Sequence, residues 1–141
     1  MIGLRESPEP PLRAKEKDHM NDVQSIIRRY IQAWNETDPP RRRAVIAEVF
    51  AEDADYTDPL ASVRGHDDID QFMAAAQTQF DGLEFSLAGP VDAHHQQARF
   101  TWHLGLPGAE EPVVIGFDVA VVHNDRLRSV YGFLDKTPAL T

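Results

Sequence analysis

The run Val113-Val114-Ile115-Gly116-Phe117-Asp118-Val119-Ala120-Val121-Val122 is apolar at nearly every position, so it reads as a strand covered on both faces and interrupted once by an acid. Strand-like runs flank it near 96–105 and 126–135, and another lies near 83–91, all separated by turns that contain Pro or Asp. They predict an antiparallel meander in the C-terminal part of the chain. Upstream the period lengthens. Val23, Ile26, Ile27, Tyr30, Ile31 and Trp34 recur on one side of a helix, with Asn21 or Asp22 as its cap. Pro39-Pro40 stops that helix, and Asp38 opens a second one that buries Val45, Ile46, Val49 and Phe50. A third is expected after Gly65, with Asp67 and Asp68 in its electropositive first turn and Ile69, Phe72, Met73, Ala76 and Phe80 on its buried side, ending at Asp81-Gly82. Between the second and third helices, Ala54 to Asp58 reads as a short strand closed by Pro59, with Tyr56 and Asp58 on one face. The order αα-β-α-ββββ predicts an α+β domain whose sheet folds over its helices.

A length of 141 residues fits one domain. Residues 1–19 carry Pro8, Pro10 and Pro11 and no apolar period, so they read as a disordered tail, with the domain at 20–137 and a short tail at 138–141. The tail has no apolar core of a secretory signal, and Met20 is an alternative start. A net charge of −9 disfavours nucleic acid and anionic membrane surfaces as partners. With no cysteine, a disulfide framework, a thiolate metal site and a cysteine nucleophile are excluded, and a reducing cytoplasm is the expected location. Apolar stretches fall well short of the roughly 20 residues of a membrane span.

Two acids stand out. Asp58 ends a strand beside Tyr56 and precedes a proline. It is either a pocket carboxylate or an ordinary turn-forming residue. Asp118 interrupts the apolar run. It is either buried, and then hydrogen-bonded, paired or protonated, or it faces solvent from an edge or interface. Tyr30 lies in the first helix's apolar stripe, where core packing is its default. Arg99, Thr101 and His103 alternate with Phe100, Trp102 and Leu104, and either face of that strand could line a pocket. The six histidines show no helical i, i+4 pair, and a metal site is not expected. Neither a nucleophile elbow nor a glycine-rich phosphate loop is present.

Arg29-Tyr30-Ile31-Gln32-Ala33-Trp34-Asn35, Ala51-Glu52-Asp53-Ala54-Asp55-Tyr56-Thr57-Asp58-Pro59 and Gly65-His66-Asp67-Asp68-Ile69-Asp70-Gln71-Phe72 together resemble the nuclear transport factor 2-like superfamily, in its SnoaL-like and ketosteroid isomerase-like branch. The resemblance runs from about Asn21 to Asp135. It implies a cone-shaped α+β fold around a deep apolar pocket, often dimeric, with Trp34, Tyr56, Phe72, Met73, Phe100 and Trp102 as lining. It also implies cofactor-free proton transfer next to a carbonyl, with Asp58 as general base and Tyr30 and a protonated Asp118 as oxyanion hole, an arrangement that is itself a general reference case of carboxyl tuning. The isomerase's supporting tyrosine in the third helix is replaced here by Met73, and the Arg-x-Asp pair of the related limonene epoxide hydrolase is replaced by Arg99-Phe100-Thr101.

The expected partner is therefore a small, mostly apolar or carbonyl-containing ligand, with no cofactor. The alternative is a binding or accessory module with the same pocket and no turnover. Val113, Ile115, Phe117, Val119 and Val121 lie opposite the face assigned to Asp118, so a homodimer through the outer sheet face is expected.

Overall fold

The computed structural model describes the backbone of residues 12–138 and the side chains of residues 22–138. Three helices, α1 (Leu12–Asn35), α2 (Pro39–Val49) and α3 (His66–Gln79), pack against one curved, unclosed sheet of seven strands. The strands are β1 (Phe50–Thr57), β2 (Ser62–Arg64), β3 (Glu84–Leu87), β4 (Asp92–His94), β5 (Gln97–Gly105), β6 (Val114–His123) and β7 (Arg126–Lys136). Their order is β2-β1-β7-β6-β5-β3, with β4 also on β5. Only the β1–β7 pair among these is parallel, and a long connection through α3 and strands β2 to β6 separates the two, while β7 itself follows β6 by a tight turn.

The predicted α+β architecture is the one observed, with two additions and one shifted boundary. The short strands β2 and β4 are three residues each, too short for their alternation to mark them in the sequence, and they pair with β1 and β5. Helix α1 begins at Leu12 rather than at Asn21 or Asp22. The segment Leu12-Arg13-Ala14-Lys15-Glu16-Lys17 consists of strong helix formers after Pro11, so intrinsic propensity extends the helix where no apolar stripe is present. Residues 12–19 of the expected tail are therefore helical backbone, residues 1–11 lie outside the described residues, and of the expected C-terminal tail only Pro138 lies within them. Among the described residues no helix is long and apolar enough to cross a membrane.

Strict alternation along β6 turns Val114, Gly116, Asp118, Ala120 and Val122 inward, onto the α1 stripe of Val23, Ile27, Tyr30, Ile31 and Trp34. The end of α1 is fixed by side chains. Asn35 Nδ2 donates to the Phe85 carbonyl at 2.9 Å, and Phe85 N donates back to Asn35 Oδ1 at 2.8 Å, which docks the helix on β3. Gln77 Nε2 donates to the carbonyls of Trp34 and Glu36, both at 2.9 Å, satisfying acceptors that a helix end leaves open. Asp38 Oδ2 accepts from Arg41 N at 3.1 Å and caps α2. Arg42, only 4% exposed, donates from Nε to Asp70 Oδ1 at 2.6 Å and from Nη1 to Gln77 Oε1 at 2.8 Å, tying α2 to α3. These latches hold the helical layer at the height that leaves a cavity between it and the sheet.

Candidate active site

The cavity measures about 460 Å³, within the usual range for small-molecule sites. Its wall is a continuous set of rings. Trp34 contacts Tyr56, Phe72 and Phe85 at centroid distances of 5.6, 5.9 and 5.3 Å, and Phe85 contacts Trp102 at 5.5 Å. No basic side chain is among the described lining residues, so an anionic ligand would find no counter-charge. Leu60, Gln79 and Thr137 line the cavity and are exposed, which marks the mouth. Tyr30 and Asp118, 1% and 2% exposed, form the closed end.

Asp118 does not face solvent. Tyr30 donates its hydroxyl to Asp118 Oδ2 at 2.7 Å, and the Trp102 indole N–H donates to Oδ1 at 3.0 Å. Burial pushes the carboxyl up to about 6 from its ordinary 3.8. The two hydrogen bonds oppose the shift, and the nearby Asp58 charge adds to it. Burial and the Asp118 charge hold both the Tyr30 and Tyr56 phenols well above 10, so each stays an O–H donor at any working pH.

Asp58 combines its two alternatives. Its Oδ1 accepts from Leu60 N at 2.8 Å and from Ala61 N at 3.0 Å, an Asx turn that carries β1 into β2, and the residue also lines the cavity. Tyr56 donates to its Oδ2 at 2.7 Å. Three donors thus occupy this carboxylate.

Tyr30, Trp34, Tyr56, Asp58, Phe72, Trp102 and Asp118 line one cavity. Met73 and Phe100 are not on its wall. Met73 is fully buried in the core, and the Phe100 ring stands edge-on to Tyr30 at 5.7 Å. Helical or strand period identifies a buried face but not the depth of a side chain behind it. Phe85, Val114 and Leu134 line the cavity unanticipated, and Leu104 lines it from the aromatic face of β5, one of the two faces left open. Phe85 and Leu104 face each other across the β3–β5 ladder, on the Trp102 side of β5, so period two carried the signal once that face was known. The indole bond to Asp118 was also missed. It depends on the β5–β6 register, which sets Trp102 opposite Gly116, two residues along β6 from Asp118 and on the same face.

Residues 27–130 match the SnoaL-like domain family, a span that holds Tyr30, Asp58 and Asp118. No curated protein matches the chain. Among solved structures, a candidate isomerase of the SnoaL-like family from Agrobacterium tumefaciens is 38% identical and superposes with a TM-score of 0.77, covering 82% of this chain and 99% of its own. A candidate ketosteroid isomerase from Kribbella flavida shares 18% identity at a TM-score of 0.63 and covers 86% and 84%. A ketosteroid isomerase-like protein from Catenulispora acidiphila, solved with trimethylamine, shares 19% at a TM-score of 0.62 and covers 76% and 82%. The last two support the fold alone. The domain match spans most of the described residues, and the Agrobacterium relative is alike in sequence as well as in shape: the chain belongs to the SnoaL-like family.

Proposed function

We propose that the protein holds a small, mostly apolar carbonyl compound in its cavity and moves a proton at the carbon beside the carbonyl, with Asp118 as the group that takes and returns it. The observation that carries this reading is the state of Asp118: a buried carboxyl raised to about 6, held in place by two donors, at the closed end of an aromatic pocket. General bases work best when they titrate near the working pH. In the step, the C–H bond breaks, its electron pair forms the enolate, and the proton passes to Asp118. The Tyr30 and Tyr56 hydroxyls do not ionise, and each has one O–H, now given to Asp118 or Asp58; once Asp118 has taken the proton, the Tyr30 O–H is released from its Oδ2 to turn to the enolate oxygen. Return of the proton to the same or a conjugated carbon completes exchange or isomerisation.

This assignment exchanges the roles that the resemblance implies for the two acids. Both Asp118 oxygens accept, from the Tyr30 hydroxyl and from an indole N–H that can only donate, and burial raises the carboxyl to about 6, no higher than the working range, so it serves as an acceptor of hydrogen bonds. Asp58, occupied by two backbone amides and a phenol, is better suited to hold Tyr56 than to leave its partners for a substrate proton. Deuterium exchange from solvent into a panel of cyclic and aryl ketones tests the reading without knowledge of the product. Exchange above the solvent rate for at least one bound ketone is expected. Binding without exchange for every ketone supports the binding-module alternative instead.

The same reading includes a homodimer through the outer sheet face. Phe117 and Phe133 stack there at 4.9 Å, Phe133 is 51% exposed and Tyr131 is 41% exposed, and Ile115, Val119 and Val121 are half-buried beside them. Sedimentation at micromolar concentration should give twice the chain mass. A monomer under those conditions contradicts this part of the proposal.

A further inference from the structure

We propose that Gly132 and Gly116 are positioning residues of the site, their absent β-carbons making the space in which the Asp118 carboxylate and its indole donor sit. The proposal rests on the reading of Asp118 given above and adds the elements that set its place. Both glycines lie inside strands, β7 and β6, where glycine weakens a sheet. Neither has a positive φ, in contrast to Gly65, Gly82, Gly89 and Gly108, so backbone conformation does not demand them.

Space does. Gly132 is the β7 partner of Asp118, and Gly116 is the β6 partner of Trp102, so at two positions two residues apart on one face of β6 a large or charged residue faces a glycine. A β-carbon at 132 would stand 2.9 Å from Asp118 Oδ1, 3.2 Å from Asp58 Cβ and 3.5 Å from the Tyr56 hydroxyl oxygen. It would fall in the gap that the two acids share. Asp118 cannot yield without loss, because Oδ1 is held by Trp102 and Oδ2 by Tyr30. A β-carbon at 116 would overlap Trp102 Cζ2 and lie 2.7 Å from both Trp102 Cε2 and the Phe133 carbonyl oxygen. The indole lies across the bare glycine backbone, and from there its N–H reaches Asp118, two residues along β6.

The test uses the full chain with carbon-13-labelled aspartate carboxyls. Gly132→Ala and Gly116→Ala each displace a bond that favours the ionised carboxyl, so the Asp118 titration midpoint should rise by about half a pH unit or more in each. Gly132→Ala should also lose less stability when introduced into Asp118→Ala, where the carboxylate is gone, than into the natural chain. If Gly132→Ala alone does not fold while the Asp118→Ala double variant does, the coupling is shown in its strongest form. An unchanged midpoint with equal stability loss in both backgrounds overturns the proposal, as does failure of both chains to fold, since the glycine would then serve the sheet and not the acid. Absence of ketone exchange in the natural chain would defeat the proposed function while leaving this titration readable.

Discussion

Asp118→Asn should lower deuterium exchange into a bound ketone by about a hundredfold or more, the lower end of what a positioned acid–base group contributes. The amide cannot take a proton. It can accept from only one of its two donors through its oxygen, so either the Tyr30 hydroxyl or the Trp102 N–H loses its partner. Ketone affinity should change little, because the base acts chiefly in the transition state. Asp58→Asn should cost less than about tenfold: its amide oxygen still accepts from Leu60 N and Ala61 N, and the loss falls on the orientation of Tyr56. The opposite ranking, with Asp58→Asn inactive and Asp118→Asn competent, would restore the roles that the resemblance implies, with Asp118 as a neutral donor that Asn can replace. Measuring both variants against one ketone separates the two schemes.

Arg42→Ala should destabilise the fold by about 3–5 kcal/mol, read from chemical denaturation. The guanidinium is almost fully enclosed, and its removal leaves the Asp70 carboxylate and Gln77 Oε1 without their donor at the joint between α2 and α3. The exposed pair Arg29–Glu48 provides the contrast. Both of its side chains reach water, and Glu48→Ala should cost under about 1 kcal/mol. A loss at Arg42 as small as that at Glu48 would mean that the buried pair contributes no more than a surface one. Since the same joint carries Gln77 to the end of α1, the loss should also reduce ligand affinity by loosening the Trp34 wall.

Much of this architecture is legible in the residues because single side chains already state a physical constraint. The α1 stripe from Val23 to Trp34 can be buried only as a helix. Asp118 in the middle of an apolar strand requires partners if it is buried, and of the partners it has, Tyr30 lies in the buried stripe of α1 while Trp102 lies on the aromatic face of β5, one of two faces the pattern leaves open. What stayed hidden depends on register and volume. The residue that completes the Asp118 site is selected by the rung on which β5 meets β6, and the room for it is made by glycines whose spacing resembles no motif. Arg42 sits among three consecutive arginines, Arg41-Arg42-Arg43, whose order does not single one out; its neighbours are exposed and it alone turns inward, because α2 places one of every three or four residues against α3. Met73 and Phe100 were given to the pocket for the converse reason, since membership of a buried face does not say which side chain ends at the cavity surface.

The pH profile of ketone exchange tests the central claim most directly. In the proposed step Asp118 works as a carboxylate, and burial raises it to about 6, so below that value the base is protonated and the rate falls. Measured at low ketone concentration, where the unliganded protein is reported, exchange between about pH 4.5 and 8 should rise through a midpoint near 6 and level off above it. Asp118→Asn should remove that limb together with the activity. A rate that is flat through pH 6, or the same limb persisting in Asp118→Asn, would contradict the assignment of Asp118 as the proton-transferring group.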